Sequence, residues 1–211
     1  AGSFIVDGWG WQWVFISLCI IVLLIVIATI FYLPQRYKPD ANVTLKPGPI
    51  IKTFYGILRN RQFITYTLAG AFAFANMFIY LAGSPAIFME RFEIGPKAYS
   101  GIFALLAVGF IGSNQVNILL LKKYKSEQIF RVALFSLVLF NLVFLVGATN
   151  NAYGLVATIV IFFFSLSCLG FIYPNSSALA LSPFSRNLGS GSALIGSVQI
   201  GTAGLISRAE G

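Results

Sequence analysis

One arrangement of residues limits the fold more than any other. Six apolar runs of about 20 residues follow one another, each long enough to cross a hydrocarbon core of about 30 Å as a helix. They are Val14–Leu33, Phe63–Gly83, Tyr99–Leu121, Ile129–Ala148, Tyr153–Tyr173 and Leu188–Ile206. A single long polar stretch, Pro34–Arg61, interrupts them. The chain is 58% hydrophobic and 9% charged, against about 25% charged in soluble domains. No soluble core can hide that much apolar surface, so lipid must solvate it. The expected class is all-α, a polytopic membrane protein with six transmembrane helices.

The charges specify an orientation. Pro34–Arg61 carries Arg36, Lys38, Lys46, Lys52, Arg59 and Arg61 against one acid, Asp40. The loops at 34–61, 122–131 and 175–189 hold eleven of the 14 basic residues, and the alternating loops at 1–13, 84–98 and 149–152 hold two. Basic loops stay in the cytoplasm, so 34–61 is expected inside and the N-terminus outside. An outside start without a signal-peptide pattern implies an odd number of further spans upstream, and hence a piece of a longer protein. Trp9, Trp11 and Trp13 cluster where the first run begins, as interfacial aromatics do. Prolines at 34, 39, 47 and 49 break the first half of the polar stretch. Ile51, Phe54, Tyr55 and Leu58 then recur at helical spacing, which predicts a surface helix over Ile50–Arg61.

Several functions are excluded by what the chain lacks. Its net charge of +8 is gathered in the loops between spans, so it marks topology and not nucleic-acid binding. Cys19 and Cys168 lie in apolar runs, where thiols pack and do not pair. There is no His, and the interiors of the runs contain no Asp, Glu, Lys or Arg. That leaves no materials for a metal site or for intramembrane acid–base chemistry. No enzymatic activity, metal or cofactor is expected.

The polar residues that remain inside the runs are the site candidates. Asn76 and Tyr80 stand four apart and share a helical face. Asn114, Gln115 and Asn117 cluster late in the third run, Tyr173 ends the fifth, and Gln199 is central in the sixth. Each costs several kcal/mol if left unpaired in hydrocarbon, so it must face another helix or a watery cavity. A cavity of uncharged amides, Tyr and Phe suits amphipathic, structurally varied compounds. Gly189, Ala193, Ser197 and Gly201 recur every four residues, a stripe that lets helix backbones approach closely. Ser84-Pro85 and Tyr173-Pro174 fall at run ends, where proline either terminates a helix or serves as a hinge or gate.

Three passages resemble a known family. Gly10–Phe15 opening a run that ends in Leu33-Pro34, Tyr80–Pro85 before a short loop, and Tyr173–Leu181 followed by Gly189–Gln199 resemble the sixth, seventh and tenth-to-eleventh segments of major facilitator superfamily drug exporters. Together they look most like the Bcr/CflA branch, which exports drugs such as bicyclomycin and chloramphenicol. The resemblance implies six helices of a twelve-helix fold. Residues 1–33 would hold the last helix of the N-terminal half, 34–61 the central cytoplasmic loop, and 62–211 the C-terminal bundle short of its last helix. It also implies proton-driven efflux across the inner membrane by rocking of the two halves. The energy source would be the proton gradient, with the coupling acids in the missing N-terminal half. The partners implied are a small-molecule substrate, the lipid bilayer and that half of the same protein, in a complete protein that is a monomer. Leu119–Val132 has the positive charge of the superfamily's loop signature but lacks its Gly and its Asp-Arg pair. A same-fold transporter for one metabolite, such as a sugar or organic anion, remains the alternative.

Overall fold

The computed structural model describes residues 8, 10–32, 47–150, 152–185 and 187–209. The first half of the basic stretch, Trp9 and Arg186 lie outside the described residues. All regular structure among the described residues is helical. The chain divides into two compact units, 1–46 and 47–211.

The first unit holds α1, Gln12–Tyr32. It is apolar on every side and buries none of its residues, the pattern of a helix solvated by lipid. The Trp11 ring meets Phe15 edge-on at 5.9 Å, so the aromatic cluster is partly self-packed at the helix start.

The second unit holds α2 (Pro47–Leu58), α3 (Arg61–Pro85), α4 (Pro96–Leu120), α5 (Ser126–Thr149), α6 (Leu155–Leu181) and α7 (Leu188–Ala209). α2 starts on the proline pair and stops before Asn60, whose side chain caps α3 by accepting from the Phe63 backbone N–H at 3.0 Å. The surface helix is therefore real but shifted toward its prolines. Its buried anchor is Ile57, while Ile51, Tyr55 and Leu58 of the expected stripe are exposed. Ile57 packs with Phe63, Ala180 and Ile195, which pins α2 to the ends of α3, α6 and α7.

α6 is the hub: it packs along α3, α4 and α5, and α3 in turn packs along α7. Buried Leu169 and Ile172 of α6 join Phe88, Leu106, Phe130 and Leu137 in the main core. The α4–α6 seam is the tightest. A side chain at Gly170 would overlap Ser113 and the Phe110 carbonyl, and one at Gly109 would press on the Phe163 ring and Ser167. Such close approach maximises dispersion contacts where no hydrophobic effect operates. The outer faces of α4 and α5 present Val108, Ile111, Leu119, Val132 and Phe135 fully to the surroundings. Lipid is the solvent that tolerates them.

One expectation needs correction. Neither proline ends its helix. α3 continues past Ser84-Pro85 into a π-helical turn, Ala86–Arg91, giving one apolar segment of 31 residues. The π-helical ladder is wider, with Phe92 N–H bonding Ile87 O at 3.3 Å, and the Leu81 carbonyl, which Pro85 cannot serve, accepts from the Ser84 hydroxyl at 3.4 Å. α6 likewise runs seven residues beyond Pro174. Next to that proline, Asn175 and Ser176 donate to the carbonyls of Phe171 (2.8 Å) and Tyr173 (3.1 Å). The carbonyl that Pro174 cannot serve is that of Gly170, one turn earlier, and the helix runs on past it. Five helices among the described residues are long and apolar enough to cross a membrane, and they match the first five expected runs. The sixth, α7, is a 22-residue helix, but its glycines, serines and Thr202 make it less apolar than the others.

Candidate functional site

The polar residues inside the bundle fall into two groups: those that tie helices together, and those that meet on one uncharged aromatic patch.

Asn117 and Asn175 belong to the first group. Both are almost fully buried, and Asn175 Nδ2 donates to Asn117 Oδ1 at 2.7 Å, joining α4 to α6. Asn76 is half-buried and donates at 3.0 Å to Asn141 of α5, which donates at 2.9 Å to the Leu137 carbonyl. Nothing in the sequence singled out Asn141, because its partner stands 65 positions away. Ser84 is fully buried and shares a 2.8 Å hydrogen bond with the Tyr99 hydroxyl, closing the far end of α3 against α4. Tyr99 was also missed, since a tyrosine at the start of a run reads as an interfacial anchor.

Tyr80 lies between these groups. Its ring is buried against Phe103 and Phe162, and its hydroxyl sits beside Ser84 without completing a hydrogen bond. It borders a small hollow of about 100 Å³, with Met77, Phe103, Phe110 and Leu166.

Tyr173 organises the patch. Its ring meets Phe74 of α3 at 5.4 Å and Phe110 of α4 at 6.2 Å, both edge-on, and Phe74 touches Phe78 at 5.0 Å. Edge-to-face packing of this kind fixes a ring in place. The Tyr173 hydroxyl is buried and has no hydrogen-bond partner among the described residues. One turn further along α6, Ser176 fits against Gly70 of α3, where a side chain would come within 2.8 Å of its hydroxyl. The Gln199 amide of α7 lies at the same junction, 3.8 Å from where that side chain would begin. Tyr173 and Gln199, distant in sequence, thus reach one region through α3.

The remaining candidates are placed otherwise. Asn114 is half-buried and turns its amide back to the Phe110 carbonyl of its own helix at 3.1 Å. Gln115 is exposed. Gly189, Ala193, Ser197 and Gly201 form the exposed face of α7. The face that α7 packs is offset by two residues: Gly191, Ile195 and Ala203 are buried, with Gln199 half-buried in the same row. Bulk decided the register, because Ile195 fills the hollow beside Phe63 and Ala180. The expected stripe therefore makes no packing contact within the described bundle. No group of three or more metal-ligating residues occurs among the described residues.

The bundle and its charge-free interior match a family defined by its spans. The model of the major facilitator superfamily matches residues 1–206. The chain belongs to this superfamily of membrane transporters. An uncharacterised MFS-type transporter, YdgK of Bacillus subtilis (strain 168), is 23% identical over 188 residues, which cover 89% of this chain and 46% of that protein. The chain thus spans about half the length of this curated relative. No solved structure matches it. The superfamily chain described here is a multi-pass membrane protein.

Proposed function

We propose that the chain is part of a proton-coupled exporter of drugs or other small amphipathic compounds, working by alternating access in the inner membrane. One observation carries the reading. The Tyr173 hydroxyl is buried and unpartnered in a ring of Phe74 and Phe110, with no charge inside any neighbouring span. Such a patch offers π-faces and a single donor, which hold amphipathic molecules of varied shape. A sugar would instead need several convergent donors and acceptors, and an organic anion a cation. Here Asn76 and Asn117 are already committed to other helices.

The resemblance to the Bcr/CflA branch supports the same reading. In it, 1–33 ends the N-terminal half, 34–61 is the cytoplasmic tether, and 62–211 is the second bundle. The coupling acids lie in the first half, and the complete protein is a monomer. The π-helical turn after Pro85 and the proline inside α6, Pro174, serve as hinges, since each removes one bond from its backbone ladder.

The test is accumulation of a panel of amphipathic drugs in cells with and without the full-length protein, repeated with an uncoupler. Lower accumulation that the uncoupler abolishes is the expected result. Unchanged drug accumulation, with uptake or release of one sugar or organic anion, would move the assignment to a metabolite transporter.

A further inference from the structure

A second feature lies on the opposite side of α6 from Tyr173. Phe171 is two residues away, about half a turn on a helix of 3.6 residues per turn. With Cys168 it forms the floor of a groove of about 330 Å³ between α4, α5 and α6. Leu120, Val132 and Ala133 wall it. Val132 is 67% exposed, so the groove opens outward, toward the surroundings of the bundle. Tyr124 and Gln128 line the end nearest the turn between α4 and α5.

That turn carries Lys122, Lys123 and Lys125, all exposed. The Lys123 ammonium sits over the Tyr124 ring, 5.7 Å from its centre, which sets one cation directly above a groove-lining residue. The single acid nearby, Glu127, is occupied by Arg131 at 2.9 Å. An occupant that satisfies both parts must be apolar at one end and anionic at the other. A soluble anion would find almost no polar partner inside the groove, and a neutral lipid would leave the lysines unused.

We infer that this groove is a binding site for an anionic phospholipid, with an acyl chain along Leu120, Val132 and Phe171 and the head group at Lys122, Lys123 and Lys125. Basic pockets between membrane helices select anionic head groups by the same electrostatics. The surrounding bilayer supplies the ligand, and the site is independent of what the protein transports.

Native mass spectrometry of the purified full-length protein tests this, with equimolar phosphatidylglycerol and phosphatidylcholine of identical acyl chains. Retention of phosphatidylglycerol over phosphatidylcholine by about a hundredfold is expected, since each of the three lysines near a head group contributes on the order of fivefold. The triple variant Lys122→Gln, Lys123→Gln, Lys125→Gln should melt as the parent does and lose the preference. Val132→Trp, which fills the groove and leaves the lysines in place, should reduce phosphatidylglycerol retention. Equal retention of the two lipids by the parent overturns the proposal. So does a preference that survives the triple variant, retention unaffected by Val132→Trp, or displacement of the lipid by millimolar inorganic phosphate.

Discussion

Tyr173 and Asn175 stand two residues apart on α6, one on each side of Pro174, and they have opposite fates. Asn175 is sealed: its amide bonds Asn117 across the seam and Phe171 along its own helix. Tyr173 is held only by its ring, and its hydroxyl is left without a partner. Asparagine has donors and an acceptor on a short stem, so it finds partners within a tight helix–helix seam. Tyrosine carries one hydroxyl at the end of a rigid ring, and that ring has been fixed by Phe74 and Phe110 in a place where no partner reaches. The first arrangement stabilises the bundle, and the second leaves a buried hydroxyl unpaired.

The largest effect belongs to the sealed side. Gly170→Leu pushes a side chain into Ser113 and the Phe110 carbonyl, and should cost about 3 kcal/mol or more. Thermal melting of the purified full-length protein measures it, with Gly101→Leu as control because open space surrounds that position. If both variants melt alike, the seam is looser than its geometry implies.

Next comes the amide pair. Asn175→Leu strands the Asn117 amide, at a cost of roughly 1–2 kcal/mol. The double variant Asn117→Leu, Asn175→Leu should recover most of that loss, because neither partner is then left unpaired. Denaturant titration of the single and double variants forms the cycle, and a purely additive result would deny the coupling.

On the unpaired side, Tyr173→Phe removes a hydroxyl that bonds nothing, so stability should stay within about 0.5 kcal/mol of the parent. Transport should weaken by roughly fivefold in apparent KM for substrates carrying an acceptor, the worth of about one hydrogen bond. A stability loss above 1 kcal/mol would show the hydroxyl to be a structural group after all.

The smallest effect is expected on the exposed row of α7. Ala193→Val should change the melting temperature hardly at all, by less than about 0.5 kcal/mol in stability. A larger loss in the full-length protein would mean that another element covers this row there.

Much of this was legible in the residues, and the failures are instructive. The first five runs became helices within a few residues of their expected starts. The ends were less secure at Pro85 and Pro174, because proline's rule assumes that nothing replaces the lost donor. At Pro85 the Ser84 hydroxyl donates to the freed Leu81 carbonyl, and α6 runs on seven residues past Pro174. The row Gly189, Ala193, Ser197 and Gly201 has the pattern of a packing face, yet Gly191, Ile195 and Ala203 pack instead. Both rows repeat at a spacing of four, so periodicity alone could not choose between them. Tyr173 and Gln199 were candidates by residue type; Tyr173 meets Phe74 of α3, and Gln199 lies beside Gly70, one turn away on the same helix. Asn141 and Tyr99, which complete the ties of Asn76 and Ser84, could not be found from spacing.

By itself, the sequence determined that the chain is helical and spans a membrane, and that its interior is uncharged. Those properties depend on the solvation of each run by hydrocarbon, which is local and follows from composition and length. Only the tertiary structure decided which polar groups are paired and which are left without a partner. The partners of Asn175 and Asn76 lie 58 and 65 positions away, and a hydrogen bond of 2.7 or 3.0 Å exists only once packing has set two helices side by side.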